Sequence, residues 1–393
     1  MVFRRAHITD FLDLRGARLS NPAGRALFAP ELIIDGDLLF RDGSVAGEIN
    51  IIDGHVAGLL DLSGARLENP GNIAVCASRL TVGGPMIGRD GFTVNGDVVL
   101  RRARIAGFLD LCGARLSNPA GYALVAPGLA AEGGVVFRDG SVFDGQVSLE
   151  DAHITGDLDL TEARFTGHQG GALAFAHLSA RQLKMPRTPV TGAVDLSHMR
   201  VGVLSAHPDS TPDGIRVSEL VYDTLSPLLP PGQRVRWLTT IDEGYLPQPY
   251  EQLAAVYRRL GHDSDARSVL LAKQRRRHRT LPLPARLWGL LQDVTTGYGY
   301  RPGRAGLWLI GLVAAGTAIF GFHHPAPVNA TGNAQFNPFF YTLDLLLPIF
   351  SYGQQSAFQP AGAYQWLSYG LITAGWILAT TIITGTSRAL YRG

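Results

Sequence analysis

Three residue types that can take part in chemistry recur at fixed intervals through the first half of the chain. Most are separated from the next of their kind by 48 or 49 residues, and carboxylates and imidazoles are common metal ligands. The sets are Asp13, Asp61, Asp110, Asp159 and Asp195; Arg18, Arg66, Arg115, Arg164 and Arg200; and His7, His55 and His153, with Arg104 in register. Each set alternates with apolar residues, so we expect all of these side chains to face solvent.

The spacing of these sets argues against a metal site. If the chain coils as described below, members of one set lie two coils apart, roughly 10 Å by the spacing of β-strands. Zinc ligands must converge to about 2 Å from one ion. We therefore interpret the sets as ladders of solvated side chains, with a binding face for an anionic or protein partner as the alternative.

A long internal repeat positions these residues. FLDLRGARLSNPAG from Phe11 recurs as LLDLSGARLENPGN from Leu59 and FLDLCGARLSNPAG from Phe108, and DLDLTEARF follows from Asp157. Apolar pairs two apart step by about 11 residues, so one period holds two coils of four sides each. The remaining residues fit the NPAG and NPGN inserts, whose Asn, Pro and Gly can bulge from a corner.

A chain that turns this often can bury apolar residues only by stacking coil on coil. The repeat therefore predicts a β-solenoid of roughly eight coils over 1–225. Because the N-terminus lacks the apolar core of a signal peptide, we expect the solenoid to lie in the cytoplasm. Quasi-repeats such as A-R-L-S-N and A-H-I-T-G resemble the right-handed quadrilateral β-helix of pentapeptide-repeat proteins. A bactofilin-like β-helix is the alternative.

Composition and motifs exclude several classes of protein. Cys76 and Cys112 form no metal-binding spacing, and no nucleotide-binding, nucleophile-elbow or zinc-protease motif is found. The net charge of +2 argues against a nucleic-acid binder. We expect no cofactor and no metal, and no catalytic residue can be assigned.

Residues 226–300 predict a connector between two domains. Five prolines in SPLLPPGQRVRWLTTIDEGYLPQP end the solenoid. From Tyr250 the apolar period becomes helical, and Gly261 separates two helices similar to one TPR unit. We interpret this hairpin as a structural collar, with a peptide-binding groove as the alternative.

A basic run follows the hairpin and precedes an amphipathic segment containing Trp288. Arginines beside a bilayer gain about 1 kcal/mol each from anionic lipid, and tryptophan favours the interface. We therefore expect anionic lipid headgroups, not nucleic acid, as the partner of Arg275, Arg276, Arg277 and Arg279.

The remaining residues, 301–393, predict an α-helical membrane domain with two spans, at about 305–322 and 366–383. Each stretch is eighteen residues without a charge, which meets the length for crossing a bilayer. Arginines flank both ends of the domain, whereas 325–363 contain no Lys or Arg. The distribution predicts a cell-membrane protein with both termini in the cytoplasm.

The loop between the spans contains a half-span at about 339–350, too short to cross a bilayer straight. A cation-channel subunit with two helices has the same order of segments, a span, a half-span and a second span. Tyr352 and Gly353 follow the half-span, at the position that a selectivity filter would take. Asp344 at membrane depth is a functional candidate, with a solvated surface acid as the alternative.

Two parts of the chain contain long, specific motifs: YLPQPYEQLAAVYRRLGHDSDARSVLLAKQRRRHRTLPLPARLWGLLQDVTTGYGYRP, and FYTLDLLLPIFSYGQ with ITAGWILATTIITG. By these motifs the chain resembles a family of membrane proteins from high-GC bacteria with a pentapeptide-repeat-like domain, often labelled membrane-associated oxidoreductase. The leading hypothesis is a non-catalytic membrane-anchored scaffold or sensor whose solenoid binds a protein partner. The alternatives are an oligomeric pore regulated by the solenoid, and the oxidoreductase of the label.

Overall fold

The computed structural model describes residues 1–168, 171–207, 214–239, 244–279, Pro282, 302–328, 335–347 and 351–390. Contacts divide the chain into two compact units, Met1–Val269 and Leu270–Gly393. The predicted interfacial segment around Trp288 lies outside the described residues.

The first unit contains a β-solenoid of about nine turns, which confirms the predicted fold and slightly exceeds the predicted number of coils. Two parallel sheets run along it, and the strands are numbered along the chain. The sixteen-stranded sheet contains β1 (His7–Ile8), β2 (Leu12–Asp13), β4 (Ile33–Ile34), β5 (Leu38–Leu39), β7 (His55–Val56), β8 (Leu60–Asp61), β10 (Thr81–Val82), β11 (Met86–Ile87), β13 (Arg104–Ile105), β14 (Phe108–Asp110), β16 (Ala130–Ala131), β17 (Gly134–Val136), β19 (His153–Asp159), β22 (Ser179–Lys184), β24 (Arg200–Ser205) and β26 (Val221–Ser226). The ten-stranded sheet contains β3 (Arg18–Phe28), β6 (Ser44–Asn50), β9 (Arg66–Cys76), β12 (Thr93–Val99), β15 (Arg115–Val125), β18 (Val142–Ser148), β20 (Arg164–Thr166), β21 (Leu173–Ala174), β23 (Ala193–Asp195) and β25 (Gly214–Arg216).

Strand register confirms that one sequence period holds two coils. His7 pairs with Ile33, which pairs with His55, so the histidines occupy alternate coils. The membership of the predicted columns is wrong only near the end of the solenoid. Asp195 lies in the ten-stranded sheet, away from the other aspartates, and Arg200 continues the histidine column. Both stand 36 residues after the preceding member of their set, a separation that is neither one coil nor two.

The NPAG and NPGN inserts form bulges, as predicted. β3, β9 and β15 have 11 residues each, whereas the intervening β6, β12 and β18 have 7, and the register shifts at the four extra residues. In the first bulge the Asn21 side-chain amide donates to the Arg25 carbonyl at 3.0 Å. Gly47 of the next coil faces this bulge and has φ +117°. Glycine is needed there, because a Cβ would lie 2.3 Å from the Asn21 carbonyl oxygen.

The aspartate ladder is mostly buried, which corrects the prediction that it faces solvent. Asp61, Asp110 and Asp159 are each 5% exposed or less. Each carboxylate accepts a backbone N–H from two residues ahead and so closes a corner; for Asp110 the donor is Cys112 N, at 3.0 Å. An arginine from the preceding coil completes each site, in the pairs Arg41–Asp61, Arg89–Asp110 and Arg138–Asp159.

These pairs predict a dependence of stability on acid pH. Burial opposes ionisation of Asp110, but hydrogen bonds from Arg89 and Cys112 outweigh burial and hold its pKa below the ordinary value. A lowered pKa stabilises the fold above the unfolded-state value of about 3.9, and this stabilisation is lost as the pH falls through the folded-state value. We therefore expect the melting temperature to decline below about pH 4.

Asp110→Asn should reduce the free energy of unfolding at neutral pH by about 1 to 3 kcal/mol, because the buried site loses its charge-assisted hydrogen bonds. It should also make the acid decline shallower. Asp139→Asn is the matched control, since Asp139 is exposed at an equivalent corner and has no ion pair among the described residues. Equal melting temperatures for the two variants would contradict the role assigned to Asp110.

Between the last coil and residue 280, the described residues form α1 (Pro231–Thr239), α2 (Gln248–Arg259) and α3 (Asp263–Arg279). The predicted hairpin is confirmed, with Gly261 at φ +79° between α2 and α3. Side chains of α2 satisfy carbonyl groups at the edge of the last coil. Gln248 Nε2 donates to Leu220 O at 3.0 Å, and Gln252 Nε2 donates to Tyr222 O at 2.6 Å.

A buried arginine completes this end of the solenoid. Arg234 of α1 is 2% exposed, and it donates to Ala206 O at 2.8 Å and to Pro227 O at 2.5 Å. Burial lowers the pKa of its guanidinium. Because α2 packs on β26 and binds carbonyl groups of the last coil, a further strand cannot add to the solenoid there.

The second unit contains α4 (Pro302–Phe322), α5 (Pro338–Leu346), α6 (Gln354–Ala357) and α7 (Ala363–Leu390), with a short pair of antiparallel strands, β27 (Ala326–Pro327) and β28 (Phe358–Gln359). Helices α4 and α7 contain the predicted spans at 305–322 and 366–383. Within the described residues, however, no helix is both long enough and apolar enough to cross a membrane. The predicted half-span is helical only to Leu346, and 348–350 lie outside the described residues.

Candidate functional site

The second unit is built around α5, which lies between α4 and α7. Its buried face packs into a cluster with Phe320 of α4 and Leu371 of α7. Tyr341 meets Phe320 edge to face, with ring centroids 5.0 Å apart. This packing holds the residues that the sequence singles out in the loop after α5.

Two glycines allow α5 to approach its neighbours closely. A Cβ on Gly316 of α4 would lie 2.4 Å from Thr342 Cγ2, and one on Gly375 of α7 would lie 2.1 Å from Leu346 O. The carbonyl groups at the end of α5 therefore lie directly against the backbone of α7. Sequence reasoning missed both glycines, because nothing local distinguishes them from Gly311 or Gly370, whose added Cβ atoms would meet nothing.

Asp344 lies on α5 and is 5% exposed. One carboxylate oxygen accepts the backbone N–H of Tyr352 at 2.7 Å, and the other accepts that of Gln355 at 2.9 Å. The side chain therefore connects the end of the α5–α6 loop to α5. These two hydrogen bonds from backbone amides compensate for the burial of the carboxylate, which has no cationic partner among the described residues.

Tyr352 and Gly353 form the turn that Asp344 holds. Gly353 has φ +77° and immediately precedes α6, so the turn needs a left-handed residue there. The Tyr352 ring is about half exposed and lies 5.4 Å from the ring of Phe340, centroid to centroid. The structure thus brings together all three residues predicted at this site.

Two further residues of the site were missed by the sequence reasoning. Asn337 caps α5 by accepting the N–H groups of Phe339 and Phe340 at 3.0 and 3.3 Å. Gln354 Nε2 donates to Gln335 O, and its Oε1 accepts from Asn337 N, both at 3.2 Å. The Asn-Pro pair at 337–338 is a recognisable helix start, whereas nothing in the sequence indicates the role of Gln354.

The predicted lipid-facing arginines lie on the last turns of α3. Arg275 and Arg277 are exposed and Arg276 is half-buried, while Arg279 ends the helix and its side chain lies outside the described part. Successive residues of a helix point about 100° apart. The arginines therefore spread around α3, and their contact with lipid stays a prediction.

Large apolar side chains cover the outside of α4 and α7. The most exposed are Phe322 (84%), Trp366 (77%), Leu307 (70%), Ile310 (68%) and Trp376 (56%). An apolar groove of about 680 Å³ separates α4 from α5 and is lined by Leu309, Val313, Phe339 and Leu343, among others. Asp344, Thr342 and Ser368 are buried among these helices.

Three threonine hydroxyl groups on α5 and α7 are bonded within the helix, whereas that of Thr317 on α4 is buried with no hydrogen-bond partner among the described residues. Thr342 Oγ1 donates to Pro338 O, Thr373 Oγ1 to Tyr369 O and Thr380 Oγ1 to Trp376 O, each at 2.8 Å. In the described part of the chain, no group of three or more His, Cys, Asp or Glu side chains could hold a metal ion. No protein-family model, curated protein or solved structure matches the chain.

Proposed function

We propose that the protein is a non-catalytic, membrane-anchored β-solenoid scaffold. The observation that carries this proposal is the exposed apolar surface of the second unit. Leu307, Ile310, Phe322, Trp366 and Trp376 face outward in addition to the buried apolar cluster, while a carboxylate and a hydroxyl are buried and hydrogen-bonded. A soluble protein seldom exposes so many large apolar groups on one surface, whereas lipid requires that surface and favours internally satisfied polar groups.

The topology within the membrane is a finer part of the proposal. Two spans with both ends in the cytoplasm follow from the positions of the arginines, and exposed Trp308 and Trp366 suit the two interfaces. The right-handed, quadrilateral, pentapeptide-repeat-like subtype of the solenoid is proposed in the same sense. Four short parallel segments in each early coil favour it.

The solenoid supplies the scaffold. Its apolar residues fill the interior of the coils, and its arginine and histidine columns stand outside as a regular surface on which a protein partner can bind. The thiols of Cys76 and Cys112 are buried, and burial raises the pKa of Cys112 to about 11, so neither thiol is a reactive nucleophile.

Membrane fractionation of the full-length chain tests the anchor. The protein should stay in the pellet after an alkaline carbonate wash and dissolve only in detergent. The double variant Leu307→Lys, Ile310→Lys should pass into the carbonate supernatant, because two charges on the exposed face of α4 oppose insertion. Ile33→Lys is the control, since Ile33 is exposed on the solenoid and should not affect fractionation. A wild-type chain that is monodisperse without detergent would contradict the proposal.

Cysteine labelling tests the orientation. Cys76 and Cys112 are buried, so an impermeant maleimide should label the native chain weakly. In intact cells, Gln359→Cys should be labelled and Ser20→Cys should not, because we propose that only the loop between α4 and α7 is outside. Labelling of both positions, or of Ser20→Cys alone, would contradict the proposed topology.

An oligomeric pore is the second candidate function. The observation that favours it is the placement of α5 between α4 and α7, with a loop anchored by Asp344 at its end. Purified chain in liposomes should then conduct cations, and Asp344→Ala should abolish the flux. Absence of flux from the wild-type chain would exclude this candidate and leave the anchor proposal intact. The oxidoreductase of the family label stays a prediction from resemblance.

A further inference from the structure

One corner of the solenoid carries a charged column that the sequence reasoning did not identify. Its members all adopt left-handed backbone with φ between +50° and +67°, and each stands one coil from the next. In order they are Arg5, Glu31, Asp53, Arg79, Arg102, Gly128, Asp151, His177, His198 and Glu219.

The first four members form ion pairs between neighbouring coils. Arg5 Nε donates to Glu31 Oε2 at 3.1 Å. Arg79 binds Asp53 through two hydrogen bonds, of 2.6 Å from Nε and 2.5 Å from Nη2. Continuation of this pattern would pair Arg102 with an acid in the next coil.

Residue 128 is glycine, however, so no acidic side chain is present at that position. The stem of Arg102 lies over Gly128, since a Cβ there would be 3.2 Å from Arg102 Cγ. A hollow of about 570 Å³ results, lined by Ser78, Arg79, Arg101, Arg102, Pro127, Gly128 and Asp151. Such a volume suits a small molecule.

Two of the three arginines at this hollow are available to a ligand. Within the described part of the chain, the side chains of Arg101 and Arg102 have neither a hydrogen bond nor an ion pair. Guanidinium groups bind oxyanions through paired N–H donors, which makes arginine the usual residue for phosphate recognition. Asp151 also lines the hollow, and its carboxylate would repel a second anionic group.

We propose that this hollow binds the phosphate group of a small monophosphate ester. The phosphate takes the position that a carboxylate at residue 128 would occupy and accepts hydrogen bonds from Arg101 and Arg102. Asp151 accepts hydrogen bonds from hydroxyl groups at the other end of the ligand. The inference is independent of the membrane anchor.

Calorimetric titration of the full-length chain with inorganic phosphate tests the proposal. We expect saturable binding, and Gly128→Asp should weaken it at least tenfold by supplying the missing acid to Arg102. This variant should fold, because Asp53 and Asp151 adopt the same left-handed backbone in the same column. Arg102→Gln should weaken binding to a similar extent, which keeps the test decisive if Gly128→Asp fails to fold.

Arg5→Gln is the matched control, since Arg5 belongs to the column but is already paired, and it should leave binding unchanged. Short-chain phosphatidic acid serves as a second probe. Tighter binding of this lipid than of phosphate would identify a lipid headgroup as the source of the phosphate, and the reverse a soluble ester. Absence of saturable binding of either probe at millimolar concentration, or equal affinity in Gly128→Asp and wild type, would overturn the proposal.

Discussion

Gly156→Ala is expected to destabilise the solenoid by more than about 3 kcal/mol, which exceeds the usual cost of overpacking a core. A Cβ at this position would lie 1.5 Å from the carbonyl oxygen of Gly133 in the preceding coil. That oxygen belongs to the backbone, so relief of the clash requires two coils to separate. We expect the melting temperature, measured by far-ultraviolet circular dichroism, to fall by at least about 6 °C.

Gly156 ends a column of glycines that explains this sensitivity. Gly84 N donates to Gly58 O at 2.9 Å and Gly107 N donates to Gly84 O at 3.1 Å, so successive coils meet through bare backbone at this corner. Gly24→Ala is the matched control, because its added Cβ would meet only the flexible end of the Asn21 side chain, at 3.3 Å. Equal melting temperatures for Gly156→Ala and Gly24→Ala would show that the coils do not meet in this way.

Gly375→Ala is expected to disrupt the second unit by a similar amount, about 3 kcal/mol. Its Cβ would lie 2.1 Å from Leu346 O at the end of α5, so α7 must move away from α5. That movement would also disturb the loop anchored by Asp344, two residues before Leu346. We expect faster proteolysis after Tyr352, because the loop loses its support.

Gly370→Ala provides the control for this prediction. Gly370 lies on the same helix, and an added Cβ there would meet nothing within 4 Å. Alanine also has the higher helix propensity, so Gly370→Ala should be neutral or slightly stabilising. Similar proteolysis of both variants would contradict the close packing of α5 against α7.

Residues close in sequence account for the predictions that the structure confirms. The NPAG bulges could be recognised because four extra residues lengthen a repeat of otherwise constant step, and Asn21 closes its bulge within four residues. The hairpin of α2 and α3 could be recognised from helical periodicity and Gly261. In both cases the decisive contacts lie within one turn of the chain.

Residues far apart in sequence account for the failures. Asp110 was expected to face solvent because it alternates with apolar residues, but its partner Arg89 lies 21 residues earlier and covers it. Asp195 was assigned to the wrong column because the last coils are shorter than the earlier ones. One such coil contains 21 residues, from Ser179 to Arg200. Neither the partner nor the shorter coil can be recognised without knowing how the coils stack.

The order of residues along the chain was enough to predict the solenoid, the helical hairpin and the apolar helical region. These features depend on the period and polarity of neighbouring residues, which is local information. The folded structure was needed to show that Asp344 anchors a loop, that Gly128 leaves Arg102 without an acidic partner, and that glycines let backbones approach closely. Those features depend on which coils and helices lie side by side, because their partners come from separate turns of the chain.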